Sequence, residues 1–124
     1  MLQTARFVMH LQDYVAEQHF SPTLIASGLR TTKSEIAATL GLGRDAFSRS
    51  TRIKAVKTQM RLREMLEVLN RVEPELGSAL AAYAWFRSEP LSGFGGRTPD
   101  QLVRDGDAAK LHAYLDRIAA GGYS

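Results

Sequence analysis

The sequence predicts an all-α fold: a helix-turn-helix part near the N-terminus, followed by a small helical domain. Three observations carry this. Apolar residues recur at three- and four-residue spacings, as in Leu62, Met65, Leu66 and Leu69, which is one stripe along a helix. Glycine and proline punctuate the chain where helices would start and stop. No window alternates apolar and polar residues as a half-buried strand does. With 124 residues, 44% of them hydrophobic and 23% charged, the chain has the length and composition of one packed domain with a small appendage.

Phe7, Leu11, Tyr14 and Val15 form one stripe, so a first helix is expected there. Ser21-Pro22 breaks it or starts a new one, and Thr23 to Ser27 reads as a short helix ended by Gly28. Either Thr32 or Ser34 can cap the next helix, which carries Ile36, Ala37 and Leu40 and ends at Gly41. A second short helix is expected from Gly43 or Arg44, burying Phe47. Small Ala37, a turn glycine four residues later, then Leu42 and Phe47 reproduce helix-turn-helix spacing: the small side chain lets two helices approach and the glycine permits positive φ. If this unit reads DNA, Arg44, Ser48, Arg49 and Arg52 lie on or just after its second helix, and Lys33 stands where the first helix would touch phosphate.

A long helix is expected from Ile53 to Val72, basic in its first half and apolar on one face in its second. Pro74 restarts the chain. Glu75 to Arg87 reads as an alanine-rich helix with Leu76, Leu80, Tyr83 and Phe86 on one face and Trp85 on another. Of the adjacent pair Trp85-Phe86, at least one belongs in the core, which leaves the other as a partner-binding anchor. Gly106 ends a short helix after Leu102-Val103, and Asp107 caps the last one, whose stripe is Leu111, Tyr114, Leu115 and Ile118. Gly121-Gly122 then releases Tyr123-Ser124.

The densest signal is Leu91-Ser92-Gly93-Phe94-Gly95-Gly96-Arg97-Thr98-Pro99-Asp100-Gln101-Leu102. Three glycines in four residues allow a sharp turn or a close approach to another chain. Thr98, Pro99 and Gln101 then read as cap, first helical position and capping-box partner.

Charge is unevenly placed. Residues 44–63 hold Arg44, Arg49, Arg52, Lys54, Lys57, Arg61 and Arg63 against Asp45 alone, while residues 64–124 hold six basic and nine acidic residues. A basic middle ahead of an acidic end suggests a local anion-binding surface. The absence of cysteine excludes disulfides, a thiolate nucleophile and Cys-based zinc, and fits a reducing cytoplasm. No apolar run is long enough for a membrane helix, and the N-terminus lacks a signal pattern. His10, His19 and His112 lack metal-ligand spacing. The glycines of 93–96 are not followed by the Lys-Ser/Thr of a phosphate loop, and there is no Gly-x-Ser-x-Gly elbow. Neither catalytic residues nor a metal or cofactor are expected.

From about Leu62 to Ser124 the sequence resembles the toxin-binding domain of Xre/MbcA/ParS-type antitoxins. The resemblance is carried by the alanine-rich helix ending in Trp85-Phe86, then Pro90, then Gly95-Gly96-Arg97-Thr98-Pro99 and Leu102, then a closing helix into Gly121-Gly122-Tyr123. The helix-turn-helix of 33–50 matches that family more loosely; the phosphate contact usual there is glutamine-like, where this chain has Lys33. Three parts are expected: an N-terminal helical extension (1–31), which matches no motif of that family, a DNA-binding-like part (32–60) and a toxin-binding domain (61–124). The resemblance implies a cytoplasmic type II antitoxin whose partner is a RES-domain toxin that consumes NAD or transfers ADP-ribose from it. Neutralisation would occlude the toxin's NAD pocket. The implied toxin-binding residues are Trp85, Phe86 and Phe94 as platform, with Gly95, Gly96 and Arg97 and the tail at Tyr123 and Ser124 as protruding parts. Arg97 alternatively satisfies helix-end groups beside the loop. Operator DNA is a second implied partner, through Lys33, Arg44, Ser48, Arg49 and Arg52, and the family favours a homodimer. The alternative is a free-standing helix-turn-helix transcriptional regulator without a toxin.

Overall fold

A computed structural model describes residues 11–121. Phe7, His10, Tyr123 and Ser124 lie outside them. The described chain is mostly helical, with a single two-stranded ladder. In order it forms a 3-10 turn over Leu11–Tyr14, strands β1 (Val15–Ala16) and β2 (His19–Phe20), and helices α1 (Pro22–Gly28), α2 (Lys33–Thr39), α3 (Ser50–Ile53), α4 (Val56–Leu76), α5 (Ala79–Ser88), α6 (Pro99–Arg104) and α7 (Ala108–Gly121).

The start of the described chain departs from expectation. No helix runs on through Val15: β1 and β2 pair antiparallel, Val15 opposite Phe20 and Ala16 opposite His19. The carbonyl of Tyr14 accepts from Ser21 N–H at 2.8 Å instead of continuing a helix. Glu17 and Gln18 make the tight turn with φ of +54° and +69°. Such turns favour Asn-Gly, because both central residues need positive φ; Glu-Gln carries no such signal. Gln59 of α4 seals the hairpin, its Oε1 accepting from Phe20 N–H at 2.8 Å and its Nε2 donating to the Phe20 carbonyl at 3.0 Å.

Ser21 caps α1, accepting Leu24 N–H at 3.2 Å, with Pro22 in the first turn. Gly28 closes α1, and a Cβ there would sit 2.8 Å from the buried Tyr14 ring. Thr32, not Ser34, caps α2 through Glu35 N–H at 3.1 Å. Gly41 then turns the chain at φ +66°.

The second helix of the helix-turn-helix does not form as expected. Residues 44–47 are turn and 48–49 a bend, with Ala46 N–H to Gly43 O at 3.0 Å and Ser48 N–H to Asp45 O at 3.1 Å. The Ser48 hydroxyl also donates to Asp45 O at 2.9 Å, and Arg49 is extended at φ −140°. Serine side chains that bond nearby backbone compete with helix in this way. Helix resumes only as the four residues of α3. Phe47 is nonetheless buried, as expected.

α4 is the spine. Leu62, Met65, Leu66, Val68 and Leu69 have no exposed surface, and each buried side chain of this size stabilises the fold by about 1.5–3 kcal/mol. The helix does not stop before Pro74 but carries it inside the last turn and ends at Gly77, which is left-handed at φ +95°. Proline so near the end forfeits one backbone bond and is tolerated. Glu75 and Leu76 therefore belong to α4, and α5 starts afresh from Ser78, whose hydroxyl accepts Ala81 N–H at 3.0 Å. Leu76 and Leu80, expected on one face with Tyr83 and Phe86, are 39% and 40% exposed, whereas Tyr83 and Phe86 are buried.

α5 packs along α4, α6 against both, and α7 against α6. One buried cluster runs from Tyr14 to Leu111 through both halves. Polar ties cross it as well. Thr39 Oγ1 lies 3.3 Å from the Tyr83 hydroxyl, Arg87 pairs with Glu35 at 2.9 Å, and the Gly41 turn rests on the Arg104 side chain.

Candidate functional site: the glycine loop, its flanking cleft and a basic face

α5 ends where Ser88 Oγ donates to Ala84 O at 2.7 Å and Glu89 N–H to Trp85 O at 3.0 Å. Leu91 is buried and anchors the start of the glycine loop. Its N–H donates to Arg97 O at 3.0 Å, closing the loop on itself, and Arg97 N–H returns to Phe94 O at 3.1 Å. Gly93, Gly95 and Gly96 have φ of +88°, +65° and +83°. No atom lies within 4 Å of a Cβ built on any of the three, so the backbone angle, not crowding, selects glycine here.

Two side chains hold this loop to the domain. Phe94 meets the Tyr114 ring edge-on, centroids 5.7 Å apart. Arg97 Nη1 reaches Asp105 at 2.8 Å and Asp107 at 3.2 Å in the turn between α6 and α7. The hydrogen bond to Asp105, then that to Asp107, holds the guanidinium above its ordinary pKa. Thr98 N–H donates to Gln101 Oε1 at 3.0 Å, the reciprocal bond of the expected capping box, and the Thr98 hydroxyl bonds the Asp100 carboxylate. The loop is thus a fixed protrusion, with Gly95 and Gly96 exposed at its tip.

The expected platform divides. Phe86 is wholly buried; it is core and offers nothing to a partner, which corrects the sequence expectation. Trp85 and Phe94 are half-buried. Trp85 lines a cleft with Val72, Leu76, Leu91, Leu115 and Ile118, bounded also by Glu75, Glu89 and Tyr114. A second cleft adjoins it, formed by Ser92, Tyr114, Arg117, Ile118 and Gly121. Ile118 is 42% exposed, so the apolar stripe of α7 outruns the core beneath it. Periodicity alone assigns Leu76, Tyr114, Leu115 and Ile118 to buried faces. The signal in the sequence for a cleft is a closing helix whose stripe extends beyond the last element able to cover it. α7 itself is pinned to α4 by Arg71, which donates to His112 O at 3.2 Å and pairs with Asp116.

The five expected DNA-binding residues are all exposed but not all together. Arg44 and Arg52 share a cleft with Lys57, Gly41 and Gly43. Lys33 sits at the start of α2, and Arg49 in the extended link before α3; neither lines that cleft. Ser48 spends its hydroxyl on the turn. Lys57 joins the site from within the basic run, where sequence alone does not distinguish it from its neighbours. Among the described residues, Arg44, Arg49, Arg52, Lys54 and Lys57 make no ion pair, whereas Arg71, Arg87, Arg97, Arg104 and Lys110 each have a carboxylate partner. Positive potential therefore concentrates on residues 44–57.

No helix of the described chain is long and apolar enough to cross a membrane. Comparison with curated proteins and with solved structures gave no match. Residues 76–121 match the family model of the antitoxin Xre/MbcA/ParS C-terminal toxin-binding domain. The match takes in α5, the glycine loop, α6, α7 and most of the apolar cleft, and leaves the basic face outside. Over these residues, and over these alone, the chain is similar to the toxin-binding domain of the Xre/MbcA/ParS antitoxins.

Proposed function

We propose that this chain is a type II antitoxin that neutralises a RES-domain, NAD-consuming toxin by occluding its active site. One observation carries the reading: inside the matched segment, a glycine loop is locked as a protrusion beside an exposed apolar cleft and beside Gly121, from which the tail leaves. A pocket-blocking protein needs an apolar platform to dock and a slim projection to insert. Trp85 and Phe94 serve as platform, Gly95 and Gly96 as the slim tip, and Tyr123 and Ser124 as a further inserted end. Arg97 acts from behind by fixing the loop through Asp105 and Asp107.

Operator binding belongs to the same proposal. Arg44, Arg52 and Lys57 hold phosphate, with Lys33 and Arg49 as outlying contacts. Parts 32–60 and 61–124 then divide labour between operator and toxin. A homodimer fits through the start of α4, where Val56 and Met60 are 81% and 44% exposed.

The test is NAD consumption by the RES-domain protein of an adjacent reading frame. The full-length chain stops it; the chain lacking Gly121 to Ser124 does not. Undiminished NAD loss with the intact chain bound would overturn the occlusion reading.

A further inference from the structure

We propose that the cleft between the end of α4, α5 and α7 seats a basic, apolar-tipped segment of the toxin and supplies the affinity, while the loop and chain end supply the inhibition. This rests on the toxin-binding reading above and adds the chemistry of the segment received.

Gly93, Gly95 and Gly96 have no side chains, and association energy concentrates in large side chains seated in desolvated pockets. A glycine tip can enter a narrow site but cannot hold a complex. The cleft beside it can. It is lined by Leu76, Trp85, Leu91, Leu115 and Ile118, of which Leu76 and Ile118 keep about two-fifths of their surface exposed.

Position supports the same assignment. All its lining residues except Val72 and Glu75 fall within 76–121, the toxin-binding match. The clefts at the hairpin and on the basic face lie wholly outside that match. The adjoining cleft runs from Ser92, at the start of the loop, to Gly121, at the end of α7. A partner seated here would have the loop and Gly121 at its flank.

Charge selects the occupant. Glu89 borders the cleft, and no basic residue lines it. A purely apolar segment would cover this carboxylate without replacing the water it loses, which is unfavourable. A large apolar side chain flanked by lysine or arginine meets both the floor and the rim.

The probe is the RES-domain protein of the adjacent reading frame, titrated with the full-length chain by calorimetry and assayed for NAD consumption. Ile118→Glu weakens binding on the order of 30-fold or more, the range of a hot-spot loss. Glu89→Lys weakens binding and flattens its salt dependence. Removal of Gly121 to Ser124 leaves affinity within a few-fold yet abolishes protection of NAD. Circular dichroism and a thermal melt accompany each variant, and Ile118→Ser repeats the test without a new charge. If the wild-type chain does not bind at all, the toxin-binding reading falls and takes this inference with it. If it binds, and Ile118→Glu and Glu89→Lys bind equally well, the cleft assignment alone falls. If truncation loses affinity and inhibition in step, the division of labour falls.

Discussion

At Gly41 two constraints meet. Its φ of +66° is left-handed, and a Cβ there would come within 2.8 Å of the Arg104 side chain. The sequence discloses the turn, from helix-turn-helix spacing, but not the contact, because Arg104 lies far along the chain in another helix. Gly41→Ala is expected to cost about 1–2 kcal/mol from backbone strain alone, read from urea unfolding; an unchanged midpoint would show that the turn relaxes freely. Tyr14 offers a second test. Burial, then Asp13, then Glu73, raises its pKa above the ordinary 10.0. The native phenol holds its proton more tightly than the unfolded one. Its contribution to stability is therefore whole below pH 10 and lost as pH rises through the raised native value. Tyr14→Phe should remove that alkaline decline, measured as the difference between wild-type and variant unfolding free energies from neutral pH upward. Arg97 shows how a residue type misleads: an arginine in a glycine loop suggests a ligand contact, yet two aspartates of the next turn already engage it.

Helices are legible where periodicity and caps agree. The stripe of α4 and the Pro99–Gln101 start of α6 appear where the residues place them, and of the two caps the sequence offers α2, Thr32 is the one used. Elements escape a sequence reading where tertiary contacts decide. The hairpin has neither strand-length alternation nor an Asn-Gly turn, and depends on Gln59, remote in the chain. Pro74 reads as a boundary, but the end of α4 is set by Gly77. Residues 43–49 have helix-turn-helix spacing, while Ser48 spends both its N–H and its hydroxyl on Asp45 O. The charges of this segment still act together. The double variant Arg44→Ala, Arg52→Ala should weaken operator binding and lower the slope of log affinity against log salt by roughly two, one for each phosphate that is no longer neutralised. An unchanged slope would remove DNA from the account.

Across the molecule, sequence locates the site better than it assigns its residues. The glycine loop, Trp85 and the basic run are all visible in it, because glycine clusters and charge runs are local features. The cleft is not, since Leu76, Leu91 and Ile118 come together only once α4, α5 and α7 have packed. Phe86 escapes correct assignment for the same reason: it adjoins Trp85 on one helix, and only burial separates the two. The resulting arrangement sets unpaired cations over residues 44–57 apart from the loop and cleft of the matched segment, where most cations are paired. The two surfaces can thus serve different partners at once. The central claim is that the second of them covers the NAD site of a RES-domain enzyme. Calorimetric titration of that enzyme with the full-length chain, with and without an NAD analogue that it cannot cleave, tests it most directly. With the analogue present at about 100 times its own dissociation constant, apparent affinity should fall about 100-fold; equal affinity in both titrations would contradict occlusion.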